Sequence, residues 1–213
     1  MEKEELISKF INLVLLENKK FNLTAVTNIE EFKNRHIEDS LAPSKVFDFS
    51  NKEILDLGSG AGFPGIPLAI YNPSSKFYLV EPIEKRASFL KMVKDTLLLD
   101  NVEIINKRME ELPKSKKYDL IVSRAVSELS ILLELSIPYL KVGGILIAYK
   151  GKKGEEELIK AKNALKILNA KVINIQKEKI NNNDERNNIF ITKEKECDSI
   201  YPRLYQKIKK KPL

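Results

Sequence analysis

The chain has 213 residues, 43% of them hydrophobic, enough for one domain with an added lobe and a sizeable core. A net charge of +7 favours an anionic partner, of which nucleic acid is the usual one, although lysine and asparagine recur throughout and solvated lysine faces account for part of that balance. One cysteine, Cys197, and one histidine, His36, exclude an intrachain disulfide and argue against a zinc centre or any other metal site. No apolar run approaches the ~20 residues that span a bilayer, and the charged start Met1-Glu2-Lys3-Glu4-Glu5 is unlike a signal peptide. The expectation is a soluble, cytoplasmic protein.

Residues 4–18 carry Ile7, Phe10, Ile11, Val14 and Leu15 at helical spacing. Thr27 and Glu30 form a capping-box pattern for a second helix through about Leu41, and Asn22-Leu23-Thr24 between the two is too short for a strand. Residues 1–45 thus read as a helical extension, and 46–213 as the main domain. From residue 53 strands and helices alternate: strand 53–57, helix 64–71 stopped by Asn72-Pro73, strand 76–81, helix 84–98 and strand 102–106. Strand 118–123, helix 127–136, strand 145–150 after Gly143-Gly144 and helix 154–168 follow. Two β-like runs, 171–178 and 188–193, lack a helix between them and should pair antiparallel. The pattern predicts an α/β fold with a mostly parallel, doubly wound, seven-stranded sheet. The tail Lys207-Ile208-Lys209-Lys210-Lys211-Pro212 is basic and reads as mobile.

Gly58, Gly60 and Gly62 follow the first strand directly, in the form Asp-x-Gly-x-Gly-x-Gly that begins at Asp56. Glycine permits positive φ and close approach of a ligand to the backbone, and such ligands sit at the carboxyl ends of parallel strands. A dinucleotide turn requires glycine at 63, where this chain has Phe63. The spacing therefore favours S-adenosylmethionine. Glu81 ends the second strand and can accept both hydroxyls of a ribose diol; the plainer reading is a surface carboxylate. Asp56 either orients the turn or meets the methionine ammonium. Met109 and Glu110, after the third strand, sit where an adenine edge is expected, or simply start a helix. Arg124 follows the apolar run Leu120-Ile121-Val122 and reads as projecting into the cleft at the transferable methyl, or as a surface cation. His36 has three readings: a packed helix residue, an RNA contact or, least favoured, a base.

Taken together these residues resemble the bacterial small-subunit ribosomal RNA guanine nitrogen-7 methyltransferases, the glucose-inhibited division protein B family. The resemblance covers nearly the whole chain. It rests on Asn22-Leu23-Thr24, Arg35-His36-x-x-Asp39-Ser40, Gly58-Ser59-Gly60-Ala61-Gly62-Phe63-Pro64-Gly65-Ile66-Pro67, Lys85-Arg86, Ser123-Arg124-Ala125, Lys150-Gly151, Tyr201-Pro202-Arg203 and Lys211-Pro212-Leu213. It implies a Rossmann-like class I methyltransferase fold with S-adenosylmethionine as cofactor, contacted by Gly58, Phe63, Met109, Glu110 and Arg124, with Glu81 as the ribose acid. It implies a partner, small-subunit (16S) ribosomal RNA or a particle containing it, met by Arg35, His36, Lys150, Arg186 and Arg203. Met109 departs from the family's usual small residue, and Asn187-Asn188 from its usual histidine and aliphatic pair.

Guanine N7 already carries an unprotonated lone pair, so the expected task is in-line placement and exclusion of water, with Arg124 positioning a guanine edge or phosphate. Lys152, Lys153 and the tail lysines extend the expected phosphate-binding rim. The competing readings are a methyltransferase acting on another RNA, a protein or a small molecule, and a non-enzymatic RNA-binding module with a vestigial fold. An NAD oxidoreductase is disfavoured by Phe63.

Overall fold

The computed structural model describes residues 2–20, 23, 24, 26, 28–180 and 184–213. It divides into two compact units, Met1–Lys107 and Arg108–Leu213.

The first unit opens with helix α1 (Lys3–Asn18), whose buried stripe is Ile7, Phe10, Ile11 and Val14. Asn18 then accepts the Leu23 and Thr24 N–H groups at 2.7 and 2.9 Å, which turns the chain after the helix. Asn22 and Thr27 lie outside the described residues. Helix α2 (Ile29–Phe32) is capped by Asn28, whose side chain accepts the Glu31 N–H at 2.8 Å. A π-helical turn (Lys33–Glu38) and helix α3 (Asp39–Leu41) continue it, and a 3-10 turn through Lys45 ends it. Strand β1 (Glu53–Leu57), helix α4 (Gly65–Tyr71), strand β2 (Lys76–Val80), helix α5 (Glu84–Leu97) and strand β3 (Val102–Ile105) follow. The three strands are parallel, with β2 between β1 and β3. Helices cover parallel strands on both faces, so β1 and β2 are almost uniformly apolar and buried from Ile54 and from Phe77 onward. Helix α1 packs on α4 and α5. Lys3 Nζ reaches the Tyr71 carbonyl at 3.2 Å and fastens the start of α1 to the end of α4.

The second unit begins with a 3-10 turn at Met109–Glu111, then strand β4 (Tyr118–Arg124), helix α6 (Leu129–Ser136) and strand β5 (Leu140–Lys150). Every residue of α6 is buried. Strand β5 starts five residues earlier than expected. Leu140 pairs with Tyr118 and Ile145 with Leu120, so Gly143-Gly144 lie in a bulge inside the strand and not in a turn before it. Gly143 holds φ +81°, and a Cβ on Gly144 would stand 2.9 Å from the Lys141 carbonyl oxygen. The helix expected over 154–168 is two, α7 (Gly154–Lys160) and α8 (Lys162–Ile167), broken at buried Ala161. Strands β6 (Ala170–Ile180) and β7 (Asp184–Lys193) form an antiparallel hairpin, with β7 against β5. The tail is not loose: helix α9 (Tyr205–Lys210) buries Ile208 completely. Among the described residues there are seven strands, helices follow β1, β2, β4 and β5, and only β7 opposes its neighbours, the mostly parallel α/β architecture expected from the sequence.

Candidate functional site

In the first unit the glycine turn and Glu81 meet. Gly58, Gly60 and Gly62 hold φ of +73°, +57° and +99°, a region that side chains strain to enter. The Gly58 and Ser59 N–H groups both donate to the Val80 carbonyl, which draws the turn over the end of β2. Glu81 is 2% exposed; its Oε2 accepts the Gly60 N–H at 2.9 Å and its Oε1 the Ile83 N–H at 2.8 Å. Each carboxylate oxygen keeps a second lone pair for a ligand hydroxyl. Asn106 Nδ2 donates to the Glu81 carbonyl at 2.9 Å and fixes the backbone beneath the carboxylate.

Asp56 is fully buried, and its Oδ2 accepts the Gly65 N–H at 3.0 Å. It thereby ties the end of β1 to the first turn of α4, where a negative charge also meets the positive end of the helix. A Cβ on Gly65 would stand 2.5 Å from that same oxygen and 3.1 Å from Leu79. Only glycine fits there.

Phe63 is 5% exposed and sits among aromatic rings of the N-terminal helices. His36 stacks on it with centroids 4.8 Å apart and planes at 25°, and Phe10 and Phe32 close the cluster at 5.1 and 5.4 Å. His36 Nε2 hydrogen-bonds with Thr24 Oγ1 at 2.9 Å. The π-helical turn carries this histidine, and Ser40 Oγ donates to its carbonyl at 2.6 Å. The aromatic cluster thus braces the glycine turn from behind. Arg35, one residue earlier, pairs with Glu31 at 2.8 Å.

In the second unit Arg124 ends β4, half-buried, and Ala125 turns the chain sharply with φ +57°. Lys150 lies at the end of β5 and is 8% exposed. Its Nζ donates to the Ser127 carbonyl at 2.6 Å and to Glu157 Oε2 at 2.7 Å, while Glu157 also accepts the Leu129 N–H at 2.8 Å. One ion pair therefore fixes both the loop after Arg124 and the first turn of α6. A Cβ on Gly154 would stand 2.9 Å from the Cβ atoms of Lys150 and Asn187, so glycine lets α7 lie close to the strand ends. Met109 is buried, and Glu110 Oε1 accepts the Tyr205 N–H at 3.4 Å. The Glu110 charge and, more strongly, burial push the Tyr139 hydroxyl up to about 12. Arg186 reaches Asp184 at 3.8 Å and lines a 290 Å³ groove of mixed charge, with Lys152, Lys177 and Lys179 beside Glu155, Glu178 and Glu185. Arg203 grips Glu134, a fully buried carboxylate, with Nε and Nη2 at 2.6 Å each, and this raises the guanidinium pKa further. The Cys197 thiol donates to the Leu168 carbonyl at 3.2 Å, and burial pushes its pKa up.

Residues 3–189 match the family model for rRNA small subunit methyltransferase G (GidB). The chain belongs to the rRNA small subunit methyltransferase G family. Ribosomal RNA small subunit methyltransferase G of Mycoplasma capricolum is 40% identical over 205 residues, 96% of this chain and 89% of that one. The Fusobacterium nucleatum relative is 41% identical over 208 residues, with the same coverage. Among solved structures, M. jannaschii TYW2 in complex with AdoMet superposes with a TM-score of 0.59 at 19% identity, covering 74% of this chain and 76% of that one. Ribosomal protein L11 methylase from Lactobacillus delbrueckii subsp. bulgaricus gives 0.59 at 15% identity, covering 76% and 80%. These two share the fold.

In this member of the methyltransferase G family the glycine turn and Glu81 are the groups of the first unit that could hold a cofactor. A Cβ on Gly60 would meet nothing nearer than the Gly58 carbonyl oxygen at 3.9 Å, so that face of the turn is open to a ligand. Beside it stands a buried carboxylate suited to a diol. Asn106, Glu157 and Glu134, which hold Glu81, Lys150 and Arg203 in place, had no signal in the sequence, because the contacts that matter lie far apart along it or beside ordinary surface-like residues.

Proposed function

We infer that the protein transfers a methyl group from S-adenosylmethionine to N7 of a guanine in small-subunit (16S) ribosomal RNA. Membership of the methyltransferase G family over residues 3–189 carries this reading. When bound, S-adenosylmethionine supplies a methyl on a sulfonium, an electrophile that a lone pair takes directly. Gly58, Gly60, Gly62 and Phe63 shape the turn that receives it. Glu81 binds the ribose hydroxyls, and Asp56 holds the turn on the first turn of α4. Met109 and Glu110 in the second unit are assigned to the adenine. Arg124 positions the guanine edge or its phosphate through its planar fork. Guanine N7 has no proton to lose, so the chain supplies alignment and dryness rather than a base, and His36 is not needed as one.

Arg35, His36 and Arg186 are assigned to RNA contacts. Lys150 and Arg203 are assigned to RNA binding through the loops they hold. Residues 1–45 are a helical extension to a methyltransferase domain of 46–213. No helix among the described residues is long and apolar enough to cross a membrane; a cytoplasmic location is assigned with the substrate, and the partner is small-subunit ribosomal RNA or a particle containing it. Two measurements test the reading. Saturating S-adenosylmethionine should raise the melting temperature, since a ligand that binds only the native state stabilises it. Tritiated methyl should enter ribosomal RNA and not bulk protein or metabolites; label in either of the latter would replace this reading with another acceptor.

A further inference from the structure

From Ser199 to Leu213 the chain contains five cations and no aspartate or glutamate. One of the five, Arg203, is neutralised by buried Glu134. The other four, Lys207, Lys209, Lys210 and Lys211, are all exposed, and none makes an ion pair among the described residues. By contrast, Lys150 and Lys193 are buried and paired. Helix α9 and Lys211 therefore hold a block of unneutralised positive charge.

That block is also held rigidly. Ile208 is fully buried beneath the helix. The Arg203 backbone N–H and its Nε both donate to Glu134 Oε1, its Nη2 donates to Glu134 Oε2, and Nη2 also reaches the Lys211 carbonyl at 3.0 Å. One arginine so ties both ends of α9 to α6. Lys114 Nζ donates to the Ser199 carbonyl at 2.7 Å and pins the approach to the helix. At its start, the Tyr205 N–H meets Glu110, a residue assigned above to the cofactor. Exposed lysines on a mobile tail would need no clamp; here the Arg203–Glu134 pair and buried Ile208 fix the short helix that carries Lys207, Lys209 and Lys210, with Lys211 directly after it. Four exposed cations held this close together, with no carboxylate side chain among the neighbouring residues of the chain, suit a polyanion.

We propose that α9 is a docking arm for the phosphate backbone of the ribosomal RNA substrate, with Lys207, Lys209, Lys210 and Lys211 as its contacts and the Arg203–Glu134 pair as the clamp that sets its register. The proposal rests on the reading that the substrate is RNA. It adds an RNA surface whose lysines are separate from the residues that hold the cofactor.

The test replaces the four lysines by glutamine in the full chain. Methyl transfer to small-subunit ribosomal RNA is then measured against RNA and salt concentration, with cofactor affinity measured by calorimetry. The arm predicts a KM for RNA raised at least tenfold, kcat within about twofold, and unchanged cofactor affinity. It also predicts a log–log salt dependence shallower by roughly 3 to 3.5, since each of the four lost phosphate contacts removes about 0.7 to 0.9. Unchanged KM and salt slope in a variant that melts like the parent overturn the proposal. If the fourfold variant fails to fold, K207Q, K209Q, K210Q and K211Q are measured singly, each with an expected slope loss of about 0.7 to 0.9. Vesicles of phosphatidylglycerol form a control arm: loss of vesicle binding with RNA binding intact assigns the lysines to a membrane surface and overturns the proposal. If the unsubstituted protein methylates no ribosomal RNA, the substrate reading falls. Filter binding of the same RNA to the parent and the variant still decides the arm.

Discussion

Replacing Glu81 by glutamine probes the cofactor cradle at its most committed contact. The carboxylate accepts two backbone N–H groups, one on each oxygen, at 2.9 and 2.8 Å. Glutamine offers one oxygen and one amide nitrogen, so one of those N–H groups would face another donor. Glu81 is 2% exposed, so water cannot readily replace the lost acceptor. A hydrogen bond to a charged group contributes about 1.5–3 kcal/mol, and the folded protein should lose stability of that order. The same arithmetic holds for the ligand: losing one charge-assisted bond to a ribose hydroxyl weakens binding by about 1.5–3 kcal/mol, or about 10- to 150-fold. Urea denaturation reads the first effect and isothermal titration with S-adenosylmethionine the second. Glu84→Gln, three residues on in an exposed helix start, is the control and should change neither. An E81Q protein that is folded and binds the cofactor within threefold of the parent would refute the assignment of this carboxylate to the ribose.

Gly65→Ala should destabilise the fold by about 3–5 kcal/mol, the sum of overpacking against Leu79 and loss of a charge-assisted bond as Asp56 makes room; a shift in urea midpoint worth less than about 1 kcal/mol would contradict the contact geometry. Arg203→Ala leaves Glu134 buried without its partner and should cost about 3 kcal/mol, reduced somewhat because the arginine is partly exposed, while Glu134→Gln with Arg203 intact should cost less. Tyr139 has its pKa raised, so its contribution is fully present below pH 10 and is lost as pH rises through about 12; absorbance titration should find at least one tyrosine that resists ionisation until the protein unfolds. Normal titration of all seven tyrosines near pH 10 in folded protein would contradict its burial.

Much of this architecture was legible because its signals are local. Strands β1, β2 and β4 are buried on both faces, so each appears as an apolar run, and Pro73 and the glycine turn mark the ends of the elements beside them. The glycine turn with its acid at the end of the second strand was equally clear, since both the φ requirement and the carboxylate are written in residue identity. What escaped depends on distant partners. Gly143-Gly144 looks like any glycine turn until the carbonyls of Tyr118 and Asp119 are placed against Gly144. The π-helical turn at Lys33–Glu38 has the same periodicity, over so short a span, as the helix it interrupts. Asn28 is the described cap of α2, one residue after the expected Thr27, and both are good capping residues. The tail has a mobile composition, but Arg203 and Ile208 hold it to residues some seventy positions away. Lys150 and Arg203 looked like free cations because Glu157 and Glu134 are only recognisable as their partners in three dimensions.

Position-resolved mapping of the methylated base tests the central claim most directly. Small-subunit ribosomal RNA, bare or in its particle, is incubated with the protein and methyl-labelled S-adenosylmethionine, and 7-methylguanine is located by strand cleavage at the modified base. The account predicts label at N7 of one guanine, dependent on Glu81 and Arg124. Label on another atom, or on no ribosomal RNA at all under conditions where the cofactor binds, would contradict it.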